Sequence, residues 1–324
     1  MIGTRTPFRM SFIGGGSDMK EFYSKVPGCV LSTSINKYMY IFIHKYFDDR
    51  IQVKYSKTEL ADHIEDIKHP IVRTVLNKFG LSGIDINSIA DIPSGTGLGS
   101  SSSYTVSLLH ALYGYTHQHV TAKQLAEEAC EIEINILKEP IGKQDQYAAA
   151  YGGLNLIRFL PNGQVEVEPI IMEPEVYIQL QSNLILFYTG TTRSASGVLN
   201  DQQNNLLNDQ AKFDSLVQMT ELVETAKNHL CNSNLEEFGK ILDENWILKK
   251  SLSDKISNNG IDDLYSLAKK NGAIGGKLLG AGGGGFLLFY CRKENQTKLR
   301  TALSILREFD FEFDSFGSKI IYNE

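Results

Sequence analysis

Three glycine-rich stretches hold the residues with the clearest chemical use: "FIGGGSD" (Phe12–Asp18), "IPSGTGLGSSSS" (Ile92–Ser103) and "LGAGGGGFLLF" (Leu279–Phe289). Glycine lets backbone N–H groups face outward without a Cβ in the way. In the second stretch the glycines run into the apolar, helix-like "SYTVSLLHAL". The start of a helix offers unpaired N–H groups and the positive end of the helix dipole. Loop and helix mouth together suit an anion such as a phosphate chain. The serine run adds hydroxyl donors and a candidate Mg²⁺ ligand. Taken alone, each stretch also reads as an ordinary surface loop or a strand-entry turn. Three of them in one chain carry a large folding-entropy cost unless a ligand needs the close backbone approach. No Gly-Lys-Ser/Thr follows the second stretch, so it is not a Walker loop.

The elements around these loops alternate irregularly between strand and helix. "MYIFIHKYF" (Met39–Phe47) and "RIQVKYS" (Arg50–Ser56) read as strands, and the intervening aspartates predict a hairpin between them. A helix is expected over Pro70–Phe79, and "TAKQLAEEACEIEINIL" reads as another, with Thr121 and Gln124 spaced as a capping box and Pro140 as its stop. "GQVEVEPIIM" and "NLILFYTG" read as strands. Helices are expected within Ser194–Cys231 and Leu235–Ser251, then helix, glycine loop and strand, and a last strand in the tail. The pattern favours an α+β fold. A boundary near Pro169–Glu175 divides the chain into units 1–172 and 173–324. Trp246 and its apolar neighbours read as core, and "HQH" (His117–His119) as a polar loop lacking a third metal ligand.

Composition narrows the class. The chain has 324 residues, 42% of them hydrophobic, and a formal net charge of -6, enough to bury a core and with no basic run for nucleic acid or an anionic membrane. No stretch has membrane-spanning length and the N-terminus lacks a signal-peptide core, so a cytoplasmic location is expected. Cys29, Cys130, Cys231 and Cys291 lie far apart and read as free thiols.

The motifs resemble those of the GHMP small-molecule kinases, which include galacto-, homoserine, mevalonate and phosphomevalonate kinases. "PSGTGLGSSSS" is similar to their phosphate loop, "KLLGAGGGGF" to their C-terminal glycine motif and "TPFRMSFIGGGSD" to their N-terminal substrate motif, in the family's order. Within the family, "GKQDQYAAAYGGLN" and the FYTG-x-x-R-x-A-S pattern resemble the D-glycero-D-manno-heptose 7-phosphate kinases, whose near relatives are fucokinase-like. The galactokinase Gly-Glu-His is here Gly-Gly-Gly, and Ser102 stands where alanine is usual.

The resemblance implies two domains, one like ribosomal protein S5 and one ferredoxin-like, with ATP between them. It implies nucleotide contacts at Pro93, Gly95, Gly97, Leu98, Gly99, Ser100, Ser101 and Ser102, and Mg²⁺ held by Ser101 and Glu133. Glu131 and Glu133 lie two apart, so only one can face the site. Asp145 would accept or orient the proton of the acceptor hydroxyl, and Arg9 would steady the charge beside it. Arg5 is a weaker second cation. Asp18 would accept hydrogen bonds from sugar hydroxyls, with Gly14, Gly15 and Gly16 giving close approach. Lys143 and Arg193 are the expected cations for a second phosphate, and Gly282 and Gly283 would press on the ligand from the second domain. The implied activity is ATP-dependent phosphorylation of the anomeric hydroxyl of a sugar phosphate, leading through a 1,7-bisphosphate to GDP-heptose and surface polysaccharide. The implied partner is a small molecule, and a homodimer stays open. The alternatives are another sugar kinase, fucokinase-like, or a sensor that binds without turnover.

Overall fold

The computed structural model describes residues 1–192 and 195–324. Strands form in chain order: β1 (Ile2–Ile13), β2 (Gly28–Lys45), β3 (Ile51–Lys54), β4 (Thr58–Ala61), β5 (Ile84–Ala90), β6 (Leu154–Phe159) and β7 (Val165–Pro169). They continue with β8 (Leu184–Tyr188), β9 (Ala273–Leu278), β10 (Phe286–Cys291), β11 (Arg307–Glu308), β12 (Phe313–Asp314) and β13 (Lys319–Asn323). The α+β expectation holds, and the strands fall into two sheets, of nine and four strands.

The larger sheet runs β13-β1-β2-β5-β3-β4, with β6, β7 and β12 joined through β2 and β6. The expected hairpin between the β2 and β3 segments does not form. Asp48 accepts from the Arg50 amide and guanidinium and closes the turn locally, yet β5 inserts between the two strands, antiparallel to β2 and parallel to β3. Helix Pro70–Phe79 makes the crossover, starting at proline and ending at left-handed Gly80. Helix Ser100–Tyr115 packs on β1 and β2 and is buried nearly all round, Ser102, Ser103, Thr105 and Ser107 included, because sheet and further helices cover it on several sides.

The smaller sheet runs β11-β8-β10-β9, all antiparallel. Numbered from β8 this is order 4-1-3-2, that of a split βαββαβ unit. Helices Ala195–Asn208, Gln210–Cys231, Leu235–Ser251 and Asn259–Lys270 fill its first crossover. Trp246 is buried in this layer, as the sequence suggests. The tail corrects the division into 1–172 and 173–324: β12 pairs with β2 and β13 with β1, so the last residues complete the first sheet. Gly114 leaves room for Ile320 and Ile2 at that junction. All four cysteines are free. Among the described residues, no helix is long and apolar enough to cross a membrane, and no group of three metal-ligating side chains forms.

Candidate active site

Helix Ser100–Tyr115 begins at Gly99, whose backbone is left-handed (φ 76°) and whose missing side chain leaves the first turn uncapped. Gly95 and Gly97 are left-handed too. Thr96 folds back on Pro93 in a turn, and among the described residues the N–H groups from Gly97 to Ser101 find no acceptor within the protein, which leaves them available to a ligand. Pro93, Gly95, Gly97, Gly99, Ser100, Ser101 and Ser102 line a cleft of ≈ 1080 Å³ between the two sheets' layers. Leu98 does not line it. Its side chain is in the core, and its carbonyl accepts from the Arg9 amide at 3.1 Å. The apolar end of the cleft is lined by Tyr55, His69, Ile71, Ile89 and Ile92.

Arg9 comes from β1 and reaches under this loop. Its Nη1 donates to the Gly97 carbonyl at 2.6 Å, while Nε and Nη2 donate to the two oxygens of Asp145, each at 2.7 Å. Asp145 lies in the first turn of helix Gln144–Tyr151. Its side chain keeps 23% exposure against 5% for Arg9, so the carboxylate has one edge open to the cleft.

Ser101 and Glu133 meet beside it. Ser101 Oγ donates to Glu133 Oε1 at 2.8 Å, and Gln146 Nε2 donates to Oε2 at 2.8 Å. Helix Ala122–Cys130 runs on as a π-helical turn, Glu131–Ile136, which rotates Glu133 into the interior and leaves Glu131 exposed. The chain leaves that turn at Leu137 and left-handed Lys138, ahead of Pro140. Burial pushes the Glu133 carboxyl up to about 7, against the hydrogen bonds from Ser101, Gln146 and Ser102. A hydroxyl and a carboxylate are hard oxygen donors, and a buried carboxylate without a cation fits a divalent ion of the Mg²⁺ type. The Thr121 cap is half a box: its hydroxyl accepts from the Gln124 amide, while the Gln124 side chain goes to Tyr113 and Glu128.

Asp18 is buried under the "GKQD" turn. It accepts from the Gly16 amide at 2.9 Å and the Gln144 amide at 3.1 Å. Gly142 is required here, since a Cβ would collide with Asp18 Oδ2. The "FIGGGSD" and "GKQD" stretches therefore dock on each other. Burial raises the Asp18 pKa above 3.8, against the Gln144 amide.

Several expected contacts fall elsewhere. Gly15 and Gly16 line the cleft, but Gly14 packs on the Cys29 carbonyl and donates to Asn245 Oδ1 at 3.1 Å. Lys143 turns away: its ammonium donates to the Gly163 carbonyl at 2.8 Å and stands 5.0 Å from the Tyr23 ring centre. Arg5 covers the Tyr38 ring at 4.2 Å. Arg193 lies outside the described residues. Gly282 and Gly283 pack against Ile256, with the Gly283 amide donating to its carbonyl at 2.9 Å. Gly280 and Ala281 line the cleft instead, and Gly280 lies directly on Gly97.

The cleft also holds residues the sequence did not single out. Lys249, Lys277, Gln202, Ser11 and Gln144 all line it. Lys249 and Asn245 sit four apart on one face of helix Leu235–Ser251, both buried beside Trp246. Two buried polar residues at that spacing on an apolar face were the available signal.

With this geometry in view, the comparisons with known proteins are specific. The N-terminal domain of GHMP kinases matches residues 66–153 and their C-terminal domain matches residues 226–308. A D-glycero-alpha-D-manno-heptose 7-phosphate kinase of Campylobacter jejuni is 29% identical, over 98% of each chain. A bifunctional fucokinase/GDP-fucose pyrophosphorylase of Arabidopsis thaliana is 28% identical over 94% of this chain and 31% of its own length. The crystal structure of a D-glycero-D-manno-heptose 1-phosphate kinase from Bacteroides thetaiotaomicron superposes with a TM-score of 0.83 at 24% identity, over 100% of both chains. The loop of free amides, the carboxylate gripped by arginine and both matched domains lead to one assignment: this chain belongs to the GHMP kinases and is a phosphotransferase.

Proposed function

We propose that this kinase transfers the γ-phosphoryl group of ATP to the anomeric hydroxyl of a sugar that already carries a phosphate, most closely D-glycero-D-manno-heptose 7-phosphate. The observation that carries the transfer is the Arg9–Asp145 pair fastened to the Gly97 carbonyl of the amide-rich loop. The Campylobacter relative supports the sugar. The product would be a 1,7-bisphosphate, a precursor of GDP-heptose for capsule or lipopolysaccharide.

The loop amides from Gly97 to Ser101 would hold the triphosphate, with the base toward Tyr55, His69 and Ile71. Ser101 and Glu133 would hold Mg²⁺, which when bound shields the charge of the transferring group. Asp145 takes the proton of the attacking hydroxyl as its oxygen bonds to the γ-phosphorus and the bond to the departing diphosphate breaks. Arg9 fixes the carboxylate so that its open edge faces the cleft, and keeps a positive charge near the oxygen that loses the proton. Asp18, held by the Gly16 and Gln144 amides, has lone pairs left for sugar hydroxyls.

A neutral sugar of the fucose type is the second reading, favoured by the Arabidopsis relative. Coupled ADP-release kinetics with Mg-ATP and heptose 7-phosphate, mannose 6-phosphate, L-fucose, galactose and mevalonate separate the two. Turnover confined to heptose 7-phosphate is expected. Faster turnover of L-fucose or galactose would refute the proposed acceptor.

A further inference from the structure

Two lysines that the transfer chemistry leaves unused are buried along the cleft, Lys249 on helix Leu235–Ser251 and Lys277 on β9. Among the described residues neither ammonium has a carboxylate at ion-pairing distance. An ammonium offers three donors. Lys249 uses two, on the Gly15 carbonyl and Gln202 Oε1, each at 3.0 Å. Lys277 uses one, on the Phe12 carbonyl at 2.9 Å. Beside them two more buried polar groups have no partner among the described residues, Gln202 Nε2 and Ser11 Oγ.

The glycine turn gathers these groups. A Cβ on Gly16 would strike Gln202 Nε2 and stand 3.4 Å from Lys249 Nζ, and one on Gly15 would stand 3.3 Å from Ser11 Oγ. All four side chains face the same cleft. Burying an ammonium is costly unless a negative charge meets it. The strain is visible in both groups. Burial pushes Lys249 down to about 8, with Asp18 pulling the other way, and pushes Lys277 well below its ordinary value, helped by the charges of Lys249 and Arg9. An anion would relieve burial and mutual repulsion together.

We propose that Lys249, Lys277, Gln202 and Ser11 form the seat of the acceptor's own phosphomonoester. The inference rests on the reading of the acceptor as a sugar phosphate. It replaces Lys143, whose ammonium is engaged at Gly163. The unused N–H directions of the two lysines, the Gln202 amide and the Ser11 hydroxyl are donors, matching a group whose terminal oxygens only accept. Asp145, Asp18, Lys249 and Lys277 line one continuous cleft, so one molecule can offer its reacting hydroxyl to Asp145, other hydroxyls to Asp18 and its phosphate to the lysines.

The test is calorimetric titration, without nucleotide, of heptose 7-phosphate, free heptose and inorganic phosphate into wild type, Lys249→Met, Lys249→Arg, Lys277→Met and Gln202→Met. Wild type should prefer the ester over the free sugar by about 30-fold or more, as charge-assisted bonds to phosphate imply. Lys249→Met should abolish that preference while holding free-heptose affinity within about threefold, and Lys249→Arg should restore part of it. Inorganic phosphate should compete with the ester in wild type and not in Lys249→Met. A preference that survives in Lys249→Met and Lys277→Met overturns the seat, as does an equal loss for ester and free sugar, which would mean that Lys249 merely holds the Gly15 turn. Should Lys249→Met fail to fold, Gln202→Met decides by the same comparison. No preference in wild type would instead refute the sugar-phosphate reading itself.

Discussion

Arg9 and Asp145, 136 positions apart, meet through two parallel hydrogen bonds of 2.7 Å each. A third bond from the same guanidinium, to the Gly97 carbonyl at 2.6 Å, fixes that pair to the glycine-rich loop. One side chain thus sets the spacing between Asp145, on helix Gln144–Tyr151, and the glycine loop at Gly97.

Replacing either partner should therefore damage turnover more than binding. Asp145→Asn is expected to lower kcat by about 10²–10⁴-fold, the range for losing a positioned base. ATP affinity should stay within about threefold, since the loop amides are untouched. Arg9→Lys keeps the charge but loses the fork, and should show a similar fall in kcat. Steady-state kinetics with nucleotide titration checks both. Parallel losses in kcat and ATP binding would contradict the assigned roles.

The loops at Gly97 and Gly280 meet backbone to backbone, so alanine at the contact should separate them. A Cβ on Gly97 would lie 2.5 Å from the Leu279 carbonyl oxygen, on a residue whose φ is +85°. Gly97→Ala should cost about 1–3 kcal/mol in stability, from strain at a left-handed position. It should also raise the KM for ATP. Gly80→Ala, which meets nothing within 4 Å, is the matched control for strain without collision. Denaturant unfolding should rank Gly97→Ala well below Gly80→Ala.

Glu133 gives a pH signature. Its folded-state pKa of about 7 lies above the ordinary 4.5, because burial disfavours the charge. The folded protein keeps a proton there that the unfolded chain releases. The stabilisation is complete below the unfolded value and is lost as pH rises through the folded one. In metal-free buffer the stability of wild type relative to Glu133→Gln should fall between pH 5 and pH 7, by at most about 1.4 kcal/mol per pH unit. Urea unfolding across that range measures it. A flat difference would contradict the buried, uncompensated carboxyl.

Lys143 makes the opposite prediction to the one its neighbourhood in "GKQD" suggests. With its ammonium on the Gly163 carbonyl, Lys143→Ala should leave the acceptor KM within about twofold and cost about 1 kcal/mol in stability, the worth of one hydrogen bond. A large rise in acceptor KM would bring Lys143 back to the site.

The glycine loop at Gly97 and Gly99 was legible because its composition reveals the local backbone, whereas Ser101 and Asp145 are singled out by the likeness of their stretches to family motifs, and they stand on the first turns of two helices. What escaped was non-local. The insertion of β5 between β2 and β3 and the return of the tail to β1 depend on pairings that no local pattern encodes. Lys249 and Lys277 sit on a regular helix and strand, where lysine ordinarily points to solvent, and their burial comes from packing against the "FIGGG" turn. Gly282 and Gly283 share a run with Gly280, and only the contact with Ile256 separates their role from its contact with Gly97.

The most direct test of the account is ³¹P NMR of the product formed from Mg-ATP and D-glycero-D-manno-heptose 7-phosphate. The account predicts a second phosphomonoester signal coupled to the anomeric proton, appearing in step with ADP and lost in Asp145→Asn. A new phosphate on any other carbon, or ADP release with no new phosphomonoester, would contradict it.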